Sequence, residues 1–226
     1  MSGMKNNAAI LIPSYNESKA IGGLVSGLIA DGYRVYVVDD GSTDNTASIA
    51  LASGAIIVSH EVNRGKGESL KSGFRRIAND GFGFALVMDG DGQHHAEDIG
   101  RFFAAMSTTT GIVIGNRMTD TRKMPFVRKA TNYFMSLLIS LIARQWVPDT
   151  QCGFRLVRLV ILDSITLHSS NYEAESELLI KTSRKGWKIA SVPVSTIYGN
   201  ETSGIRPFRD TLRFFALLIR LPFDKT

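Results

Sequence analysis

Short apolar runs along this chain alternate with longer stretches of helical spacing, and polar clusters separate the two. Residues 8–12 form the first run and lead into a turn at 13–16. Residues 17–31 follow, with Ile21, Leu24, Val25 and Leu28 on one helical face. Residues 34–38 are β-branched and aromatic and end in Asp39-Asp40-Gly41-Ser42, after which Thr43 or Asp44 is placed to cap a helix over 45–53. A third strand is expected at 55–59, and a helix over 67–80 carries Leu70, Phe74 and Ile77. Strands four and five are expected at 84–88 and 111–114. This order predicts an α/β fold, a mainly parallel sheet with helices on both faces, in a single domain spanning 1–226.

The second half has a different texture. Residues 126–147 read as one long amphipathic helix, and strand pieces within 151–163 and 187–198 bracket a helix near 173–185. A last amphipathic helix is expected over 207–221, with Leu212, Phe215, Leu218 and Ile219 on one side and Arg209, Arg213 and Arg220 nearby. Arginines beside bulky apolar side chains fit a helix lying in a membrane interface. Core packing and a homodimer contact are the competing readings.

Composition narrows the class. In 226 residues, 44% hydrophobic and 21% charged, the chain has the balance of a globular domain large enough to bury a core. A net charge of +5 suits an anionic ligand or membrane surface, and a solvated basic surface equally. The basic residues are scattered and lack an aromatic platform, which argues against nucleic acid. With Cys152 alone, neither an internal disulfide nor a cysteine zinc site can form, so a cytoplasmic, reducing compartment is expected. The N-terminal residues lack a signal-peptide pattern. No uninterrupted apolar stretch approaches the roughly 20 residues of a membrane span. The best, 134–147, is broken by Ser136, Ser140, Arg144 and Gln145.

Ligands of open parallel sheets sit beyond the carboxyl ends of the strands. The clusters at 13–17, 39–44, 89–93 and 115–117 all fall at such ends, although turns are rich in these residue types for structural reasons as well. Asp89-Gly90-Asp91-Gly92-Gln93 sets two carboxylates two residues apart, with an amide oxygen beyond them. Mg2+ or Mn2+ takes such ligands and keeps positions for phosphates. His94 and His95 are either further ligands or ordinary turn residues. Asp39 suits a base contact while Asp40 fixes the turn through side chain to backbone bonds. Asn63-Arg64-Gly65-Lys66-Gly67 before a helix is similar to a phosphate cradle, but it lacks the full phosphate-loop pattern of ATPases.

Six motifs then occur in order: Pro13-Ser14-Tyr15-Asn16-Glu17, Val38 to Asp44, Asn63 to Gly67, Met88 to His94, Gly115-Asn116-Arg117, and Asp149 to Arg155. Together, over about residues 8–200, they resemble family 2 glycosyltransferases of the dolichol-phosphate mannosyltransferase-like branch. The resemblance implies a GT-A fold, an inverting mechanism and a nucleotide-sugar donor. It assigns Pro13, Tyr15, Glu17 and Asp39, with Asp40 and Lys66, to the donor, and Asp89, Asp91 and Gln93 to the metal and diphosphate. An acceptor polyprenyl phosphate would be gripped by Arg117 and by a second arginine, for which Arg128 is the candidate, with Asn132 one turn on. Asp91, Arg117 and Asp149 are the expected catalytic residues.

Residues 8–117 would then form the nucleotide-sugar half and 118–226 the acceptor half. The expected reaction moves a hexose from a GDP- or UDP-sugar to a polyprenyl phosphate at the cytoplasmic membrane face, with the enzyme peripheral to the membrane. An ionised phosphate acceptor needs no general base. A hydroxyl acceptor would need one, from Asp149, Glu173, Glu175 or Glu177, unless the three glutamates are simply a solvated helix face. A non-catalytic nucleotide-sugar-binding protein is the remaining alternative. One departure stands out: where the family's late loop often carries Ser-Lys, Ser203 is followed by Gly204, and Arg206 is the candidate diphosphate clamp.

Overall fold

A computed structural model of the chain describes residues 2–122, 124–195, 213, 214, 216–218 and 220. After a short helix α1 (Ser2–Asn6), the elements run β1 (Ala8–Ser14), α2 (Ile21–Ala30), β2 (Arg34–Asp39), α3 (Thr46–Ala52), β3 (Ile56–Ser59), α4 (Lys66–Asn79) and β4 (Phe84–Val87). Then come α5 (Ile99–Ala105), β5 (Thr110–Asn116), α6 (Phe126–Ala143), β6 (Arg155–Arg158), α7 (Glu173–Arg184) and β7 (Lys188–Pro193).

Seven strands form one sheet in the order β3-β2-β1-β4-β6-β5-β7. All run parallel except β6, which pairs antiparallel with both β4 and β5. The apolar runs of β1, β2 and β4 are buried on both faces, as strands inside a helix-flanked sheet must be. Pro13 is tolerated in central β1 because pairing with β4 ends at Leu11–Val87, so its missing N–H falls beyond that neighbour. Helix α4 crosses back over β1 and β2, and Gly73 lets it settle: a β-carbon there would lie 2.2 Å from Leu11.

Several expected boundaries shift, each for a tertiary reason. The helix expected from residue 17 begins at Ile21, because the backbone N–H of Glu17 and of Ser18 are bonded by Thr46 Oγ1 and by Asp44. The 126–147 helix stops at Ala143, where Arg144 turns left-handed (φ 53°) and Gln145 bonds Ser183, the Trp187 carbonyl and the Ile189 N–H. Only Arg155–Arg158 of the 151–163 stretch pairs as strand, since its neighbour β4 is itself four residues long. Helix α5 was not expected. Its two turns are too short to show a period, and burial of Ile99, Phe102 and Phe103 holds it.

Candidate active site

Because β6 alone runs against the others, the carboxyl ends of β1, β2, β4 and β5 and the amino end of β6 lie along one sheet edge. The chain reverses its walk across the sheet between β1 and β4, the position where ligands of such folds bind. Loops from these ends interlock there. Asn16, left-handed at φ 58°, donates its N–H to Ser42 and accepts from the Thr43 N–H at 2.9 Å. Gly41, at φ 72°, packs so closely on the next loop that a β-carbon would meet the Val62 carbonyl carbon at 2.6 Å. Gly90 approaches Ser14 and Glu17 in the same way, and Gly153 approaches Asp89, where a β-carbon would lie 2.4 Å from Oδ2.

The two aspartates that end β2 divide their work. Asp39 is buried, and its Oδ1 has no hydrogen-bond partner among the described residues; neither does the buried Ser14 Oγ. Such atoms are costly unless a ligand completes them. Asp40 is fully engaged: Oδ1 accepts from the Arg64 N–H (3.0 Å) and pairs with His60 Nδ1 (2.6 Å), and Oδ2 accepts from the Gly65 N–H (2.8 Å). His60 Nε2 continues to Ser72 Oγ on α4 at 2.9 Å. The sequence reading placed both residues at the donor, with Asp39 for the base and Asp40 also fixing the turn; here Asp39 is left available and Asp40 bonds the backbone of the 60–65 loop.

The same bonds correct the phosphate-cradle expectation for 63–67. The N–H groups of Gly67 and Glu68 donate to the Ser170 carbonyl (2.9 and 3.3 Å), and those of Arg64 and Gly65 go to Asp40. With the Arg64, Gly65 and Gly67 amides spent internally, this segment offers the Lys66 side chain more than a nest of N–H groups. Gly65 and Gly67 serve to admit the loop before α7, whose Ser170 carbonyl would lie 2.4 Å from a β-carbon on Gly65.

Lys66 Nζ lies 2.6 Å from Asp89 Oδ1 and 3.4 Å from Glu175 Oε1, above the Tyr172 ring. Buried Arg155 closes the far side, 3.4 Å from the same Glu175 oxygen. Burial lowers the Lys66 pKa, yet Asp89 and Glu175 outweigh it and hold the ammonium above its ordinary value. Burial raises the Asp89 pKa, yet Lys66 and His94 hold that carboxyl well below the usual range. His94 Nε2 is 3.3 Å from Asp89 Oδ2 and its ring packs on Phe154, 4.8 Å between centroids, so it is a buried partner of Asp89. Asp91 Oδ1 accepts from the Gln93 N–H at 2.9 Å.

Arg117 follows β5 and is held by Asp149: Nε and Nη2 donate to the two carboxylate oxygens at 2.8 and 2.9 Å, and its backbone N–H donates at 3.0 Å. Asn132 on α6 adds a bond at 2.9 Å. Burial raises the Asp149 pKa, but Arg117 overcomes it and keeps the carboxyl below its ordinary value. Asp149 is fully buried and accepts four hydrogen bonds, three from Arg117 and one from Asn132. The three α7 glutamates are no solvated face. Glu177 is fully buried and bonded by the His168 and Ser169 N–H groups and by Lys181; Glu175 faces Lys66; and Glu173 Oε2 is buried without a hydrogen-bond partner among the described residues.

Pro13, Tyr15 and Glu17 lie at the end of β1 as expected, with Tyr15 exposed. Arg128 is exposed on the first turns of α6, one turn before Asn132. Ser203, Gly204 and Arg206 lie outside the described residues. Sequence reading gave the buried charge pair Arg155–Glu175 no role, although Arg155 ends the last motif. The His60–Asp40–Ser72 chain left no local signal, since its members are 12 and 20 residues apart.

Among the described residues, no group of three or more His, Cys, Asp or Glu side chains is arranged to hold a metal. The donor set nevertheless fits a hard cation that takes one or two carboxylates and completes its shell with phosphates and water. Asp89 and Asp91 would supply those carboxylates, and a lysine ammonium lies against the first of them.

A sheet of this order with acidic loops at its carboxyl edge is a GT-A glycosyltransferase fold. Comparison with known proteins agrees. Residues 9–166 match Glycosyl transferase family 2, and the chain belongs to that family. It is 30% identical to the UDP-N-acetylglucosamine–dolichyl-phosphate N-acetylglucosaminyltransferase of Methanococcus voltae, over 84% of this chain and 85% of that one. It is also 30% identical to the undecaprenyl-phosphate mannosyltransferase of Micrococcus luteus, over 83% and 82%. These relatives lie in the branch that the motifs resemble. Among solved structures, glucosyl-3-phosphoglycerate synthase of Mycobacterium tuberculosis superposes with a TM-score of 0.73 at 21% identity, covering 96% of this chain and 83% of that one. Another of its structures, TM-score 0.71 and 22% identity with 96% and 80% covered, is a complex with Mn2+, UDP-glucose and phosphoglyceric acid.

Proposed function

We propose that this glycosyltransferase moves a hexose from a GDP- or UDP-sugar to a polyprenyl phosphate, with inversion, at the cytoplasmic face of a membrane. The observation that carries the acceptor assignment is the grip of Asp149 on Arg117, with Asn132 bonded to Asp149 behind it, which fixes a guanidinium just after the carboxyl end of β5. A planar fork held rigid by a buried carboxylate suits a phosphate better than a hydroxyl. The names of the relatives support the same acceptor class. In this reading residues 8–117 bind donor, and 118–226 bind acceptor.

Asp39, with Ser14 beside it, takes the nucleoside, and Pro13, Tyr15 and Glu17 shape its pocket. Asp89 and Asp91, with Gln93, hold Mg2+ or Mn2+, which neutralises charge on the departing diphosphate. Arg117 and Arg128 aim one phosphate oxygen of the acceptor at the anomeric carbon. That oxygen forms the new bond as the bond from the anomeric carbon to the nucleoside diphosphate breaks, and the oxygen carries no proton to be removed.

The lipid acceptor calls for an apolar surface near the site, and α6 supplies one. Its buried side mixes Ile139 and Ala143 with Asn132, Ser136 and Ser140, which bond the 147–150 segment, while Phe126 (83% exposed), Val127, Tyr133, Phe134, Leu137 and Leu141 face outward. Such a helix sits stably with its outer face in a lipid interface, where exposed Arg128 and Lys129 meet anionic head groups. Among the described residues, no helix is long and apolar enough to cross a membrane.

The test is transfer from UDP- and GDP-sugars to a short polyprenyl phosphate with Mn2+, scoring the anomer by NMR. Arg117→Ala abolishes transfer and spares donor binding; undiminished transfer by that variant overturns the acceptor assignment. A hydroxyl acceptor has one specific observation in its favour, the unpartnered Glu173 Oε2. If Glu173→Gln stops transfer to a saccharide acceptor while Arg117→Ala does not, that reading replaces this one. Absence of turnover with any sugar nucleotide would leave a binding protein.

A further inference from the structure

Lys66 has two carboxylates within reach, and both belong to the donor site. Its ammonium lies on Asp89 Oδ1 at 2.6 Å, while Glu175 Oε1 waits at 3.4 Å. The Glu175 oxygen is buried and has no hydrogen bond among the described residues, where Arg155 is another cationic neighbour at 3.4 Å. The lysine side chain is 16% exposed, so the group is held in a crowded, poorly hydrated setting where charge balance matters. A lysine is a point charge on a flexible stem and changes partners by small rotations.

We propose that Lys66 is a built-in competitor of the divalent cation: it occupies Asp89, yields that carboxylate when a cation binds, and moves toward Glu175 and the donor diphosphate. The inference rests on Asp89 being a cation ligand, as argued above. Three observations support it. A cation and an ammonium drawn to the same carboxylate repel each other at such short range, so each weakens the other's hold on Asp89. Glu175 provides the lysine with a second counter-ion, so leaving Asp89 does not strand a buried charge. The diphosphate that accompanies the cation brings new negative charge to the same spot. Metal and donor are thereby coupled, since binding the cation delivers a lysine to the phosphates.

The proposal makes opposite predictions for the two partners of one lysine. Mn2+ binding is measured on the free protein by electron paramagnetic resonance, and as the shift in Tm that Mn2+ produces. Removing the competitor with Lys66→Gln or Lys66→Met tightens Mn2+ about tenfold, equivalent to about 1.4 kcal/mol, and enlarges the Mn2+-induced rise in Tm. Nucleoside diphosphate binding in the presence of Mn2+ weakens in the same variants. Glu175→Gln, which removes the second seat, weakens Mn2+ instead. If the Lys66 variants bind Mn2+ no better than wild type, or Glu175→Gln binds it more tightly, the competition is overturned while the metal site stands. If wild type binds no Mn2+, or Asp89→Asn binds it as wild type does, the metal reading falls and takes the competition with it. A variant that fails to fold is replaced by the other Lys66 substitution, and Glu175→Gln supplies an independent sign.

Discussion

Asp39 ends β2 with a buried carboxylate oxygen that nothing among the described residues satisfies, whereas its neighbour Asp40 is saturated by a histidine and two backbone N–H groups. Asp39→Asn therefore weakens nucleotide binding by about 1.5–3 kcal/mol, the worth of a hydrogen bond to a charged group, with little change in Tm. Calorimetric titration with UDP and GDP checks this. Asp40→Asn behaves oppositely, costing stability first, because it loosens the 60–65 loop. At Asp149 the folded pKa is held below the unfolded value of about 3.9. The stability it contributes is therefore full above that value and is lost as pH falls through the lower, folded pKa. Urea titrations between neutral and acid pH should show a flatter acid limb in Asp149→Asn, together with a fall in kcat/KM for the lipid acceptor. The exposed Asp44 is held down to about 2 chiefly by the Thr46 hydroxyl, and an NMR titration reads that value directly. The division of labour between Asp39 and Asp40 was legible in Asp39-Asp40-Gly41-Ser42 from turn chemistry; the particular donors that consume Asp40 were not, because they come from residues 60–65, brought there only by the fold.

Helix α6 shows a pattern whose period the sequence makes plain while its orientation stays open between a membrane interface, core packing and a dimer contact. The 3.6-residue period over 126–143 is visible in the sequence, and an ordinary helix would turn its apolar stripe inward. Here the serine and asparagine row is buried, because the 147–150 segment carries unpaired polar groups that Asn132, Ser136 and Ser140 satisfy. Phe134→Glu and Leu141→Glu should release the protein from anionic vesicles in a sedimentation assay. As exposed substitutions they should move stability by no more than about 0.5 kcal/mol. A loss of solubility or fold instead of vesicle binding would mean that the face packs on protein. The C-terminal helix went partly the other way. Phe214 and Leu217 pack on Ile139 and Ile180, Leu218 joins them at the edge, and Leu212, Phe215 and Ile219 lie outside the described side chains. Gly41 belongs to this scale too. Gly41→Ala combines a left-handed φ with a backbone collision and should cost about 1–3 kcal/mol, measured as a fall in the denaturation midpoint.

Across the whole molecule, five loops meet at one sheet edge and are locked by glycines that admit close approach, so the site is largely preformed. A nucleotide sugar with Mn2+ should therefore raise Tm strongly: at one hundred times Kd the gain is about 2.7 kcal/mol. The donor base and sugar that give the largest rise identify the substrate. Element order and the four polar strand ends are set by local rules, burial periodicity and turn chemistry, and these the amino-acid sequence determines unaided. Six motifs in order along the chain carried the family in the same way. Tertiary structure alone decided the antiparallel insertion of β6 and the inward turn of the α7 glutamates. It alone decided the use of Asp149 as an anchor for Arg117 and the seating of Lys66 between Asp89 and Glu175. Strand β6 is placed by pairing with β4 and β5, which local pattern does not specify. For the charged groups the physical reason is common: each takes its role from whichever partner lies within a few ångströms, and for Lys66 and Arg117 those partners are 23 to 109 residues away along the chain.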